Sequence, residues 1–173
     1  ADDYYLEKDA LKKMYLTCKE KQADVCVSLR WRRGGNEEDV EGFFHGMEGR
    51  MISYRDCQQD YNFMNYLFRN DLLQKKKMFF SPYRRYEDPP FLVRALYGAG
   101  KFVVVDTCLY CYRMPDAVLR FRPESVQDLL QGIMDNMVFA REHGLDLLYH
   151  NTLKRLEYEY MYIILKNIVP DDT

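Results

Sequence analysis

Long apolar runs are absent from this sequence. Nothing approaches the roughly 18 consecutive apolar residues of a membrane span, and the richest stretch, Tyr158 to Val169, is broken by Glu159 and Lys166. No charged-then-apolar leader opens the chain, so a cytoplasmic location is expected, the inner face of a membrane included. Positive charge is not in excess either. The net charge of −2 leaves no field to hold nucleic acid non-specifically, and the short run Arg30-Trp31-Arg32-Arg33 does not supply one. Histidine is scarce, with only His45, His143 and His150. The five cysteines, Cys18, Cys26, Cys57, Cys108 and Cys111, form an odd set with no regular framework, which suits reduced thiols. Cys108 and Cys111 make a CxxC, but in extended chain positions three apart face opposite sides, so zinc or redox chemistry is not expected there. Also missing are the dinucleotide fingerprint GxGxxG, the P-loop GxxxxGK[ST] and the opening strand–loop–helix that wraps a nucleotide. Either the chain is no nucleotide enzyme, or the residues that hold the nucleotide are not within it.

What is abundant is the aromatic side chain: 15 Tyr and 10 Phe in 173 residues. Such rings supply core and interface area, and in a cleft they serve as platforms for sugars or bases. The length is that of one domain with a real core. Leu11, Met14, Tyr15 and Cys18 recur at helical spacing and predict one helix face. Ala23 to Trp31 alternates as a strand, with Val25, Val27 and Leu29 on one side and Cys26 and Ser28 on the other. Arg32 to Asp39 reads as a polar, glycine-broken turn, and Gly42 to Ser53 as loop. Tyr66 to Arg69 predicts a short strand, followed by a brief helix capped by Asn70 or Asp71 and ending in Lys75 to Lys77. Those lysines are a solvated helix terminus or, on the alternative reading, a phosphate patch. Phe102 to Asp106 and Leu109 to Arg113 read as two extended pieces. Pro123 opens a long helix with Val126, Leu129, Leu130, Ile133, Met134 and Met137 on one face. Gly144 ends it, and a second helix from about Leu145 to Ile168 completes an antiparallel hairpin.

The stretch RRYEDPPFLVRAL, Arg84 to Leu96, carries the sharpest chemical suggestion. Asp88 suits an N-cap, Pro89 the first helical position, and Phe91, Leu92, Ala95 and Leu96 a buried stripe that Gly98 and Gly100 bring to an end. A plain cap accounts for Asp88 without any catalysis. A carboxylate held at a helix mouth is also a candidate base, though on the residues alone the cap is the stronger reading.

Three stretches resemble the carboxy-terminal half of a family 2 glycosyltransferase, the inverting, nucleotide-sugar-dependent bacterial type with the GT-A fold. ADDYYLEKDALKKMY is similar to the segment just after that family's acidic metal motif. LFRNDLL…MFF…RRYEDPPFLVRAL is similar to its acceptor-side segment with a Glu-Asp pair. KFVVVDTCLYCYR is similar to the strand ending in Y-x-Y-R in surface-polysaccharide enzymes. The chain departs from that pattern after Arg113, where it continues MPDAVLRF.

The resemblance implies an α/β fold: a partial GT-A-like mixed sheet with flanking helices, ending in a two-helix antiparallel hairpin. It places an acceptor-side part of the catalytic domain at residues 1–113, packed against a helical hairpin at 114–173. The amino-terminal nucleotide-binding half is expected to lie outside the chain. By the same resemblance Asp88 is the base, with Glu87 as its neighbour, and Arg113 and Arg85 approach the diphosphate. Asp2 and Asp3 belong to the metal site of an enzyme that uses Mg²⁺ or Mn²⁺. The implied partners are a nucleotide-sugar donor and a glycan acceptor, and the isolated chain is expected to be inactive. On the residues alone, Asp2 and Asp3 read equally well as an acidic first turn, and Arg84, Arg85 and Arg113 as paired surface charges. A reading from a different class also stands: a non-catalytic α/β interaction module that dimerises or docks through an aromatic and helical surface, making a homo-oligomer a candidate assembly.

Overall fold

The computed structural model describes residues 3–34, 37–41, 43–113 and 122–168. In chain order the regular elements are β1 (Tyr4–Tyr5), α1 (Ala10–Glu20), β2 (Val25–Gly34), β3 (Glu37–Glu41), β4 (Met51–Ser53) and α2 (Tyr54–Cys57). Next come β5 (Tyr66–Phe68), α3 (Asn70–Lys75), α4 (Asp88–Ala99), β6 (Lys101–Arg113), α5 (Pro123–His143), α6 (Asp146–Arg155) and α7 (Met161–Ile168). A mixed sheet with flanking helices and a helical hairpin at the end is the expected architecture, and it is the one observed.

The residues form two units. The first lies within 1–57, 62–77 and 96–117, the second within 58–61, 78–95 and 118–173. The first unit holds the sheet, whose centre is the parallel pair β2 and β6. β4 pairs antiparallel with the start of β6, Met51 opposite Val103, and β1 with its end, Tyr4 opposite Cys111. On the other flank β5 pairs with the start of β2, Val25 opposite Phe68, and β3 with its end, Arg32 opposite Asp39.

Consecutive residues are buried in both central strands, Val25, Cys26, Val27, Ser28 and Leu29 in β2 and Phe102 to Val105 in β6, so both faces of this parallel pair are covered. One face meets α1 in a cluster of Ala10, Met14, Ala23, Cys26, Val103, Val105 and Leu109. On the sheet Phe44, Tyr66 and Phe102 meet edge to face, with centroids 5.5 to 6.4 Å apart.

Four expectations are corrected here. The helix face turned to the core is Ala10 and Met14 with Cys18 beside them, whereas Leu11 and Tyr15 are exposed, because the small Ala10 can approach the sheet closely. The polar segment Arg32 to Asp39 is largely strand, and its register sets Arg32 against Asp39 and Arg33 against Glu38. Hydrophobic alternation does not reveal this pairing, because the segment is polar throughout. Met51 to Ser53 is a strand, not loop. Finally, Phe102–Asp106 and Leu109–Arg113 are one strand, interrupted by a register shift that puts Asp106 on the surface.

The second unit is built on α5, α6 and α7. Gly144, at φ 62°, ends α5 in the left-handed conformation that glycine adopts without strain. α6 continues through a single π-helical turn, Leu156–Tyr160, into α7. The core face of α5 is Val126, Leu129, Gly132, Ile133, Asn136 and Ala140. Met134, expected on that face, is exposed. Among the described residues no helix is long and apolar enough to cross a membrane.

The corrected face of α1 is testable. Met14→Ala is expected to lower the unfolding free energy by about 2–5 kcal/mol in urea denaturation. Leu11→Ala, on the exposed side of the same helix, should change it by less than about 0.5 kcal/mol.

Candidate active site

Asp88 opens α4, and Phe91, Leu92, Val93, Ala95 and Leu96 behind it are all buried. The helix mouth leaves its carboxylate half-buried. Burial raises the Asp88 pKa from its ordinary value; its own backbone N–H opposes this, the Glu87 charge adds to it, Arg85 offsets part of it, and the Asp60 charge contributes again. The lowering expected of backbone donors at a helix mouth is therefore outweighed by desolvation. Glu87 and Arg85 are partly exposed beside it.

The residue before this pair is the one that shapes the loop. Tyr86 is buried and has φ 64°, in the left-handed region that a bulky side chain seldom adopts. Its ring meets Tyr61 and Tyr160 edge to face at 6.2 and 6.1 Å. The Tyr61 and Tyr160 hydroxyls are hydrogen-bonded at 2.8 Å.

Into this aromatic cage reaches Arg155, whose Nη1 and Nη2 donate to the two Asp60 oxygens at 2.7 and 3.0 Å. Nη1 also lies 3.4 Å from the Tyr86 hydroxyl, and the guanidinium sits 3.8 Å from the centre of the Tyr61 ring. Asp60 is 3% exposed, so the pair is a buried, bidentate one. Burial opposes the charge on Arg155, but the Asp60 bonds and charge outweigh it and raise its pKa. Burial keeps Tyr61 and Tyr86 neutral by raising both of theirs.

The π turn is what lets one helix present both Arg155 and Tyr160 to this cage. At 3.6 residues per turn, positions five apart diverge by about 140°, while an i→i+5 turn stacks them. From α5 the loop is latched at three further points. The Tyr83 hydroxyl donates to Asp135 at 2.8 Å, the Arg84 N–H to Asp128 at 2.9 Å, and Gly132 faces Tyr86 directly. None of Asp60, Tyr61, Arg155, Tyr160 or Gly132 stands out in the sequence. The one legible signal is the pair Asp128 and Asp135, spaced seven apart on one helix face.

In the first unit, Asp3 and Arg113 are brought together by the pairing of β1 with β6. Asp3 accepts the Tyr110 hydroxyl through Oδ2 and the Arg113 backbone N–H through Oδ1, both at 2.9 Å. The exposed Arg113 guanidinium lies over the Tyr4 ring at 5.3 Å. Both Asp3 oxygens thus already accept protein donors. That suits a carboxylate that orients its surroundings better than an open metal ligand. Among the described residues no group of three or more His, Cys, Asp or Glu side chains could hold a metal ion. Asp2 and the segment MPDAVLRF lie outside the described residues.

The whole has a glycosyltransferase-like fold. Over 98% of this chain it is similar to TarS of S. aureus, a glycosyltransferase: TM-score 0.68 at 16% identity for TarS 1–349 in complex with UDP-GlcNAc. The values are 0.67 at 17% for the complex with UDP, and 0.71 at 17% for a TarS structure of which 30% is covered. The chain spans about half the length of TarS 1–349. No family model and no curated protein sequence matches the chain. At 16–17% identity the likeness establishes the fold.

Two outcomes are expected from this geometry. Breaking the buried pair by Arg155→Ala should cost about 3–5 kcal/mol in chemical denaturation, because an uncompensated carboxylate is left inside. Asp88→Asn should do the reverse at neutral pH. A carboxyl whose folded pKa is raised loses stability as pH rises between its unfolded and folded values, and Asn caps a helix as well as Asp. The melting temperature of Asp88→Asn should therefore exceed that of the parent at pH 7, and the gap should close below the ordinary aspartate range of about 3.9.

Proposed function

We propose that this chain is the acceptor-side half of an inverting, nucleotide-sugar-dependent glycosyltransferase of family 2, GT-A type, working in bacterial surface-polysaccharide assembly. The observation that carries the reading is the half-buried Asp88, basic for a carboxylate and held at a helix mouth, in a chain with a glycosyltransferase-like fold. In the proposed step Asp88 accepts the proton of a glycan hydroxyl, whose oxygen bonds to the anomeric carbon as the bond to the diphosphate breaks. The nucleoside diphosphate leaves with its electron pair, and the sugar is inverted because attack comes from the opposite face. Glu87 adds negative charge that keeps Asp88 basic, and Arg85 stands beside it.

Support for a nucleotide-sugar donor comes from TarS, whose structure holds UDP-GlcNAc. We assign Arg113, exposed at the end of β6, to the diphosphate, and Asp2, next to Asp3 in the sequence, to a divalent cation. Mg²⁺ or Mn²⁺ there would neutralise the leaving diphosphate, and hard carboxylate oxygens suit either ion.

A second reading draws on α7 and the turn before it. Tyr158, Met161, Tyr162 and Leu165 are exposed at helical spacing, which is the surface an interaction module would use to form a homo-oligomer.

In the full-length protein, supplied with UDP-GlcNAc as probe donor, Mn²⁺ and a glycan acceptor, Asp88→Asn is expected to lower kcat by about 10²–10⁴ without loss of fold. Unchanged transfer would leave Asp88 a cap and put the base elsewhere, whereas absence of transfer in the parent protein itself would favour the interaction module. The chain alone is expected to show no Mn²⁺-dependent hydrolysis of UDP-GlcNAc; clear turnover by it would overturn the assignment of the donor site to residues outside it.

A further inference from the structure

Gly132 occupies the middle of α5, where glycine is a poor helix former. Its environment accounts for the choice. A Cβ at this position would lie 2.9 Å from the Tyr86 carbonyl oxygen, 3.0 Å from Tyr86 Cδ1 and 3.3 Å from Tyr86 Cβ. The carbonyl belongs to the peptide that joins Tyr86 to Glu87, so α5 touches the chain right beside the carboxylate pair. Tyr86 itself is held in the left-handed region, a conformation that persists only where the surroundings over-determine it. Here they do so from two sides. The Tyr61, Tyr160 and Arg155 cage grips the ring, while Asp128 and Asp135, on the same helix face as Gly132, bind Arg84 and Tyr83 just ahead of it. A glycine needed for helix packing alone would not be expected to meet a strained residue next to two adjacent carboxylates.

We propose that Gly132 is a positioning residue for the transfer step: by admitting the Tyr86 carbonyl against α5, it sets the direction in which Glu87 and Asp88 emerge toward the acceptor. The inference rests on reading Asp88 as the base. Asp128 acts with it by fixing the Arg84 backbone.

The test compares Gly132→Ala, Asp128→Ala and Asp88→Asn in the full-length protein with UDP-GlcNAc as donor. Gly132→Ala is expected to lower kcat by about 100-fold, the scale of a misplacement near 1 Å, with the KM for the donor unchanged. The charged groups facing Asp88 are Glu87 and Arg85 on the loop and Asp60 nearby. Moving Asp88 out of this buried, acidic setting relieves the burial that raises its pKa, so the acid limb of the kcat profile should shift to lower pH. A purely structural glycine would lower the melting temperature without that shift. Asp128→Ala removes an exposed latch and introduces no clash, so it decides the matter should Gly132→Ala not fold. It is expected to reduce kcat about tenfold with melting unchanged. Transfer lost in Asp88→Asn but wild-type in kcat and pH profile in the folded positioning variants would overturn this proposal alone. Transfer retained in Asp88→Asn would overturn the base reading, and this proposal with it.

Discussion

Asp60 and Arg155 stand 95 residues apart in the chain and meet in a bidentate ion pair buried under three tyrosine rings. Much of the second unit depends on that contact. A buried pair of this kind is tolerated only when its geometry is good and the remaining donors and acceptors are satisfied. Here the Tyr86 hydroxyl and the face of Tyr61 meet that need. The consequence is local order in a loop with little regular structure. Residues Tyr83 to Tyr86 have no helix or strand of their own, yet Tyr83, Arg84 and Tyr86 each have a named anchor on α5 or in the cage. The Glu87-Asp88 pair inherits its place from that loop.

The same arrangement settles a tension in the chemistry of a helix mouth. Backbone donors and the helix dipole hold a carboxylate ionised, which makes it a cap but a weak base. At Asp88 the desolvation imposed by the packed helix start, with Glu87 and Asp60 nearby, tips the balance toward basicity. A group in that state is less favourable to the folded protein at neutral pH than a neutral cap would be.

The sheet in the first unit shows a different economy. Two long strands carry four short ones, and each long strand changes partners halfway. The register shift in β6 around Asp106 accommodates that change and re-aims the end of the strand. As a result Tyr110 and Arg113 reach Asp3, tying the first residues of the described chain to the last strand of the sheet.

Periodicity in the sequence was sufficient for β2, α4, α5 and the helical hairpin, because each buries a continuous apolar face or carries Pro and Gly at its ends. The Glu-Asp pair and its helix were legible for the same reason: Asp, Pro and an apolar stripe are local signals. Arg155, Asp60 and Gly132 were not legible. Each was one charged residue or one glycine among many, and its meaning lies in partners 46 to 95 residues distant across the fold. The alternation that predicted two extended pieces could not show that they were one strand with a bulge, since a bulge is defined by its neighbour's register. Local chemistry, then, determined which carboxylate stands at a helix mouth. Only tertiary packing decided how deeply it is buried, which charges face it, and what holds it there.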